Sequence, residues 1–147
     1  MPPIQFVPPY SKNWSLNLVD GVLYSTLSQN CDGAKSAVYA LDLKDPKHTV
    51  RSFTVDAGGG GIWGRAGAAI SPEGSIYVET GDGTYDPQKN NLADSFLAIS
   101  THDLKLLDYY TPANHLYLTH KDFDMGCMSP AVFRGGQREL IAGGGKE

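Results

Sequence analysis

One pattern constrains the fold more than any other. A glycine, two residues and a tyrosine open a short apolar run at Gly21-Val-Leu-Tyr-Ser-Thr26 and again at Gly74-Ser-Ile-Tyr-Val-Glu-Thr80, 53 residues later (74 − 21). Both runs are rich in β-branched and aromatic residues, and each begins on a glycine able to take positive φ, as a strand leaving a tight turn does. The residues downstream of each run repeat as well. A polar loop leads to a second apolar run, at residues 36–42 in one case and 94–100 in the other, and a third succeeds each, at 49–55 and 104–110. Ahead of the Gly74 run lies 67–71, and 129–133 stands in the same place ahead of 139–142. The unit is therefore four strands long.

A recurring four-strand unit of about 40 to 55 residues has the spacing of a β-propeller, in which each unit is one radial blade. The predicted fold is all-β, a propeller piece of four-stranded antiparallel blades. The first unit covers about residues 14–56, the second 62–111, and an incomplete third 127–147, within one partial propeller domain over 1–147. Sandwiches and barrels accommodate the strands but give the fixed spacing no cause. Helix is confined to two stretches, 100–104 and 116–123, each a turn or two at most. With 147 residues the chain is too short for a closed propeller, so it reads as a piece of a longer protein. Its outer blades would be marginal alone, lacking neighbours for their edges and apolar faces.

Twelve Lys and Arg against sixteen Asp and Glu give a net charge of −4, and the cations are scattered, which argues against nucleic acid or an anionic membrane as partner. No apolar stretch approaches the roughly 18 residues of a membrane span. The segment Met1-Pro2-Pro3-Ile4-Gln5 lacks the basic start and apolar core of a signal peptide. Two cysteines, Cys31 and Cys127, allow one disulfide or two free thiols. His48, His102, His115 and His120 form no pair at metal-ligand spacing and read as surface residues.

Strand order sorts the loops. In a four-stranded meander the first and third connections lie at one end, while the second connection and the link to the next unit lie at the other. The first end receives Ser71-Pro72-Glu73-Gly74, Arg134-Gly135-Gly136-Gln137, Lys44-Asp45-Pro46-Lys47 and Thr101-His102-Asp103, all ordinary turn chemistry. The other end receives the residues that could do more. Trp63 lies on the link between the first two units, Asp82 opens the second connection of the second unit, and Asp122 and Asp124 lie on the next link. An indole face and up to three carboxylates are expected to meet there, with Arg65 close by. Plainer roles stand beside these: Asp82 as a turn residue, Trp63 as filler between units, Asp124 as a cap accepting the Gly126 amide. The run Gly58-Gly59-Gly60-Gly61 is followed by neither Lys-Ser/Thr nor a helix, so it is read as a flexible link or a close backbone approach rather than a phosphate cradle.

Together these residues resemble the quinoprotein family, whose eight-bladed propellers bind pyrroloquinoline quinone (PQQ). The resemblance runs from about Val19 to Lys146, so the chain would be about two and a half blades of an expected eight. It includes Val38-Tyr39-Ala40-Leu41-Asp42 and its weaker echo Leu97-Ala98-Ile99-Ser100, with Phe53 and Tyr109 near the place of the family's docking tryptophan. The site motifs are most similar to the alcohol-dehydrogenase branch. Trp63-Gly64 matches the pair whose indole stacks on the quinone. Glu79-Thr80-Gly81-Asp82 stands for the Gly-Thr/Ser-Gly-Asn segment that gives a calcium ligand, with Asp for Asn. Phe123-Asp124, after Thr111-Pro112, stands for the Trp-Asp pair that supplies the base. The family's second calcium carboxylate, its neighbouring cysteines and its arginine over the quinone have no counterpart, and Gly126 stands where lanthanide-using members carry an acid.

The resemblance implies Asp124 as catalytic base and calcium ligand, Asp82 as a further calcium ligand, and Trp63, Gly64 and Arg65 as the cofactor-binding group. It implies PQQ and calcium as cofactors, a small alcohol-type substrate, a cytochrome as electron acceptor, and a periplasmic or secreted location. The rival expectation is a propeller that binds no quinone and serves as a binding or assembly scaffold. A hydrolase built on Asp122 and Asp124 is disfavoured, because side chains two apart on an extended strand share a face without flanking a bond.

Overall fold

The computed structural model describes residues 3–28, 33–55 and 58–146. Four consecutive strands, β1 (Lys12–Val19), β2 (Val22–Ser28), β3 (Ser36–Asp42) and β4 (Val50–Val55), form one antiparallel sheet in chain order. The β1–β2 turn is Asp20-Gly21, both at positive φ (51° and 84°). That geometry matches the twist of the flanking strands and fixes the register from Val19 opposite Val22.

The second sheet repeats the plan. Strands β5 (Ala69–Ile70), β6 (Ser75–Glu79), β9 (Phe96–Ser100) and β10 (Leu106–Tyr110) pair antiparallel in that order. Between β6 and β9 the connection carries its own small hairpin, β7 (Tyr85–Asp86) and β8 (Asn91–Leu92). A helix α1 (His115–Lys121) then leads to a third element, the hairpin β11 (Ala131–Gly135) and β12 (Arg138–Ala142). The fold is mostly β, antiparallel throughout, and the stack of sheets is open.

Period-two alternation explains how the layers pack. Ile76 and Val78 of β6 and Leu97 and Ile99 of β9 turn one way, into a buried cluster with Tyr24, Val38, Ala40, Phe53 and Val55 of the first sheet. Each such aliphatic, fully buried, contributes about 1.5–3 kcal/mol. Tyr77 turns the other way, and its hydroxyl donates to Glu139 Oε1 on β12 at 2.6 Å, while Ser71 Oγ donates to the second oxygen of the same carboxylate. The outer faces are open: Leu16 and Leu18 on β1 and Phe133, Leu140 and Ile141 on the last hairpin are exposed.

The expected strands all form, with boundaries moved by a residue or two. The largest shortfall is β5, two residues where five were expected, because Gly67 takes positive φ and its neighbour Ala66 is held by the first sheet through Asn17 Nδ2. Of the two helical stretches, 116–123 becomes α1, whereas 100–104 is a turn closed by the Leu104 amide on the Ser100 carbonyl. Cys31 lies outside the described residues, and Cys127 is an exposed free thiol. No helix among the described residues is long and apolar enough to cross a membrane.

Candidate functional site

Three segments far apart in sequence meet at the end of the sheets where the second connection and the inter-unit links lie. Main-chain bonds knit them: the Gly60 amide donates to the Asp82 carbonyl at 2.6 Å, the Gly81 amide to the Gly61 carbonyl at 2.9 Å, and the Trp63 amide to the Gly126 carbonyl at 3.2 Å. Glycine is required where these backbones touch. A Cβ on Gly59 would lie 2.6 Å from the Asp82 carbonyl oxygen, and one on Gly126 would lie 2.6 Å from the Gly81 nitrogen. The glycine run 58–61 is thus a close backbone approach.

Trp63 is half-buried, and its indole lies against the Cα atoms of two glycines. A Cβ on Gly81 would stand 1.8 Å from Trp63 Cζ3, and one on Gly61 2.4 Å from Cε2. The ring therefore lies against the main chain at both glycines. Gly64 lets the link close on the next one, since a Cβ there would meet Ser129 Oγ at 2.3 Å, and that hydroxyl accepts the Ala66 amide. Arg65 is exposed and makes no hydrogen bond or ion pair with the described residues, so the expected approach of its guanidinium to the acids is not seen.

The acids do converge. Asp124 Oδ1 accepts the Asp82 amide at 3.0 Å, and ligand atoms of Asp82, Asp122 and Asp124 all lie within 4.8 Å of one another. The plainer role for Asp124 fails: it precedes the 3₁₀ turn Met125–Cys127 but makes no side-chain capping bond there. Asp94, fully buried, sets the loop from behind, accepting the Thr119 hydroxyl at 2.6 Å and the Met125 amide at 3.3 Å.

Charge at the cluster is divided unevenly. Burial, then a hydrogen bond shared with Asp124 and the charges of Asp124, Asp122 and Asp94, pushes Asp82 up to about 6. Burial would push Asp124 the same way, but the Lys146 ammonium and its two hydrogen bonds with Asp82 outweigh it and hold Asp124 below the ordinary carboxylate range. A proton shared by the pair therefore rests on Asp82. Lys146 reaches Asp124 Oδ2 at 2.5 Å, Asp122 Oδ2 at 3.1 Å and the Asp122 carbonyl at 2.8 Å.

Sequence reasoning brings Trp63, Asp82, Asp122 and Asp124 to one place but does not single out Lys146 or Glu79. Lys146 follows Gly143-Gly144-Gly145, a run that invites the chain to lie flat on the layer beneath it; a Cβ on Gly145 would stand 2.4 Å from the Asp124 carbonyl oxygen. Glu79, three residues before Asp82, is fully buried under the same strap, with no hydrogen bond of ordinary geometry to either carboxylate oxygen. Burial, only partly offset by the Gly144 amide, pushes it up to about 8.

Calcium binds oxygen at about 2.4 Å, so two of its ligands stand no more than about 4.8 Å apart. The three carboxylates meet that reach and are hard oxygen donors, and a cation, the Lys146 ammonium, already sits among them. The donor set fits a divalent hard cation. Comparison of the chain with family models, with curated proteins and with solved structures returns no match.

Proposed function

We propose that the two sheets and the hairpin are successive blades of a quinoprotein-like β-propeller that holds PQQ and calcium at this end and oxidises an alcohol-type substrate. The observation that carries the reading is the convergence of Trp63, Asp82 and Asp124, three positions singled out by motif, on loops joined by the Asp82 to Asp124 hydrogen bond. When bound, PQQ supplies a carbonyl that accepts hydride, and calcium polarises that carbonyl.

The chain's own residues do the rest. The Trp63 indole, backed by Gly61 and Gly81, offers a rigid face for a planar ring. Asp82, Asp122 and Asp124 would hold calcium. Asp124, kept ionised by its neighbours, is in the form that accepts the hydroxyl proton of the substrate. In this reading electrons leave to a cytochrome, and the protein works in the periplasm or outside the cell.

One observation favours a scaffold instead. Lys146 satisfies Asp122 and Asp124 without any added ion, as a structural tie would. The two readings part on reconstitution of the full-length protein with PQQ and calcium. Cofactor absorbance and alcohol-dependent dye reduction are expected, with Asp124→Asn lowering reduction by about a hundredfold or more while absorbance persists, and Asp82→Ala weakening cofactor retention. Absence of both signals with every alcohol and aldehyde tried leaves the scaffold.

A further inference from the structure

An ammonium group has three hydrogens to give, and three oxygens lie within reach of Lys146: Asp124 Oδ2 and Asp122 Oδ2 as ion-pair partners and the Asp122 carbonyl as a hydrogen-bond acceptor. Two of the three carboxylates that would hold calcium are thus already engaged by a cation belonging to the chain. That cation is tethered in a particular way. Its own amide donates to the Asp124 carbonyl at 3.2 Å, and the segment before it consists of three glycines. Gly145 lies so close to the Asp124 main chain that no side chain fits, whereas Gly144 has open space where a Cβ would be. Glycine carries the widest backbone freedom of any residue, and Gly144, with nothing near its Cβ position, is where this strap has room to turn. At 38% exposure, the Lys146 side chain has solvent to move into.

We infer that Lys146 is a built-in competitor for the cation site: its ammonium holds the place among Asp122 and Asp124 when no divalent ion is bound, and calcium enters only by driving it out on the glycine strap. The inference rests on the proposed calcium-binding reading of the same acids. Coulomb energy sets its sense. A divalent ion and an ammonium cannot share carboxylates a few ångströms apart without repulsion, so calcium binding carries the cost of breaking the three Lys146 contacts. The site is thereby weaker for calcium than the same acids would be without Lys146.

The test is calcium titration by calorimetry of three proteins: the unaltered chain, Lys146→Met and Lys146→Arg, with folding of each verified by thermal unfolding. Methionine keeps the apolar stem and removes the charge; arginine keeps the charge. Lys146→Met is expected to bind calcium about tenfold tighter or more, and Lys146→Arg to stay within about threefold of the unaltered chain. Calcium should also raise the melting temperature of Lys146→Met more than that of the other two. Equal calcium affinity in all three would overturn competition while leaving the cation site standing. No calcium binding by any of them would remove the cation site, and the inference with it. A tighter Lys146→Arg would equally overturn it, since a retained charge must retain the competition.

Discussion

The amide of Asp82 donates to Oδ1 of Asp124 at 3.0 Å, joining residues 42 apart in the chain and on different structural units. The bond does two things at once. It fixes the position of a carboxylate that is 3% exposed, and it ties the connection after β6 to the link after α1. Removing the acceptor leaves a part-buried amide unpaired and Lys146 without its nearest partner. Asp124→Ala is therefore expected to cost about 1–3 kcal/mol in urea unfolding, while Asp124→Asn, whose amide oxygen still accepts from Asp82, costs less. Equal losses would show that the hydrogen bond contributes nothing beyond the charge.

The indole of Trp63 depends on the absence of two side chains. Gly81→Ala places a methyl where Cζ3 now lies, so the ring must leave its seat or the β6 connection must shift. With Trp14 replaced by Phe to leave one reporter, the emission of Trp63 should shift to the red and its quenching by iodide should rise. An unchanged spectrum would mean that the indole is not held against Gly81.

The strands and loop placements are readable because their signals are local. Positive-φ glycines, alternating apolar runs and the order of a meander suffice to put Trp63, Asp82 and Asp124 at one end, and the structure brings them together there. The rest depends on the third dimension. Lys146 carries no motif, and its role comes from a glycine strap lying over Asp124. Glu79 sits in a strand where alternation sends it to the side of Tyr77, and only the arrival of Gly143 buries it. Arg65 is placed by its proximity in sequence to Trp63, but a side chain two residues from a half-buried ring on a link points away from it as readily as toward it.

Glu139 is one of two charged side chains that tie the last hairpin to the second sheet, the other being Arg134, paired with Glu73. Hydrogen bonds from Ser71 and then Tyr77 hold the Glu139 carboxyl below its ordinary range. A depressed folded pKa means stability that is present above the unfolded value of 4.5 and lost as pH falls through the folded one. Amide hydrogen exchange at Leu140 and Ile141 should consequently speed up, relative to that of Ile76 and Val78, as pH drops below 4.5. Glu139→Ala should show the faster exchange already at neutral pH. Uniform protection across both variants and all pH values would detach the hairpin's stability from this contact.

Glu79 titrates in the opposite sense. Its carboxyl is fully buried between β6 and the glycine strap, where a Cβ on Gly143 would stand 1.4 Å from Oε1, and burial raises it from 4.5 to about 8. Between those values the folded chain holds a proton that the unfolded chain has released. Its contribution to stability is therefore full below pH 4.5, falls steadily above it, and is gone once pH passes about 8. Glutamine has the shape of the protonated acid and no charge to lose. The unfolding free energy of Glu79→Gln minus that of the unaltered chain should rise by a few kcal/mol from pH 4.5 to 8, at about 1.4 kcal/mol per pH unit, and then level off. Asp82 also titrates within that window, but it is common to both proteins and cancels in the difference. A flat difference would mean that the Gly143–Gly145 strap lifts and lets water reach Glu79 at neutral pH; the strap would then not be the closed cover over this carboxyl that the geometry describes.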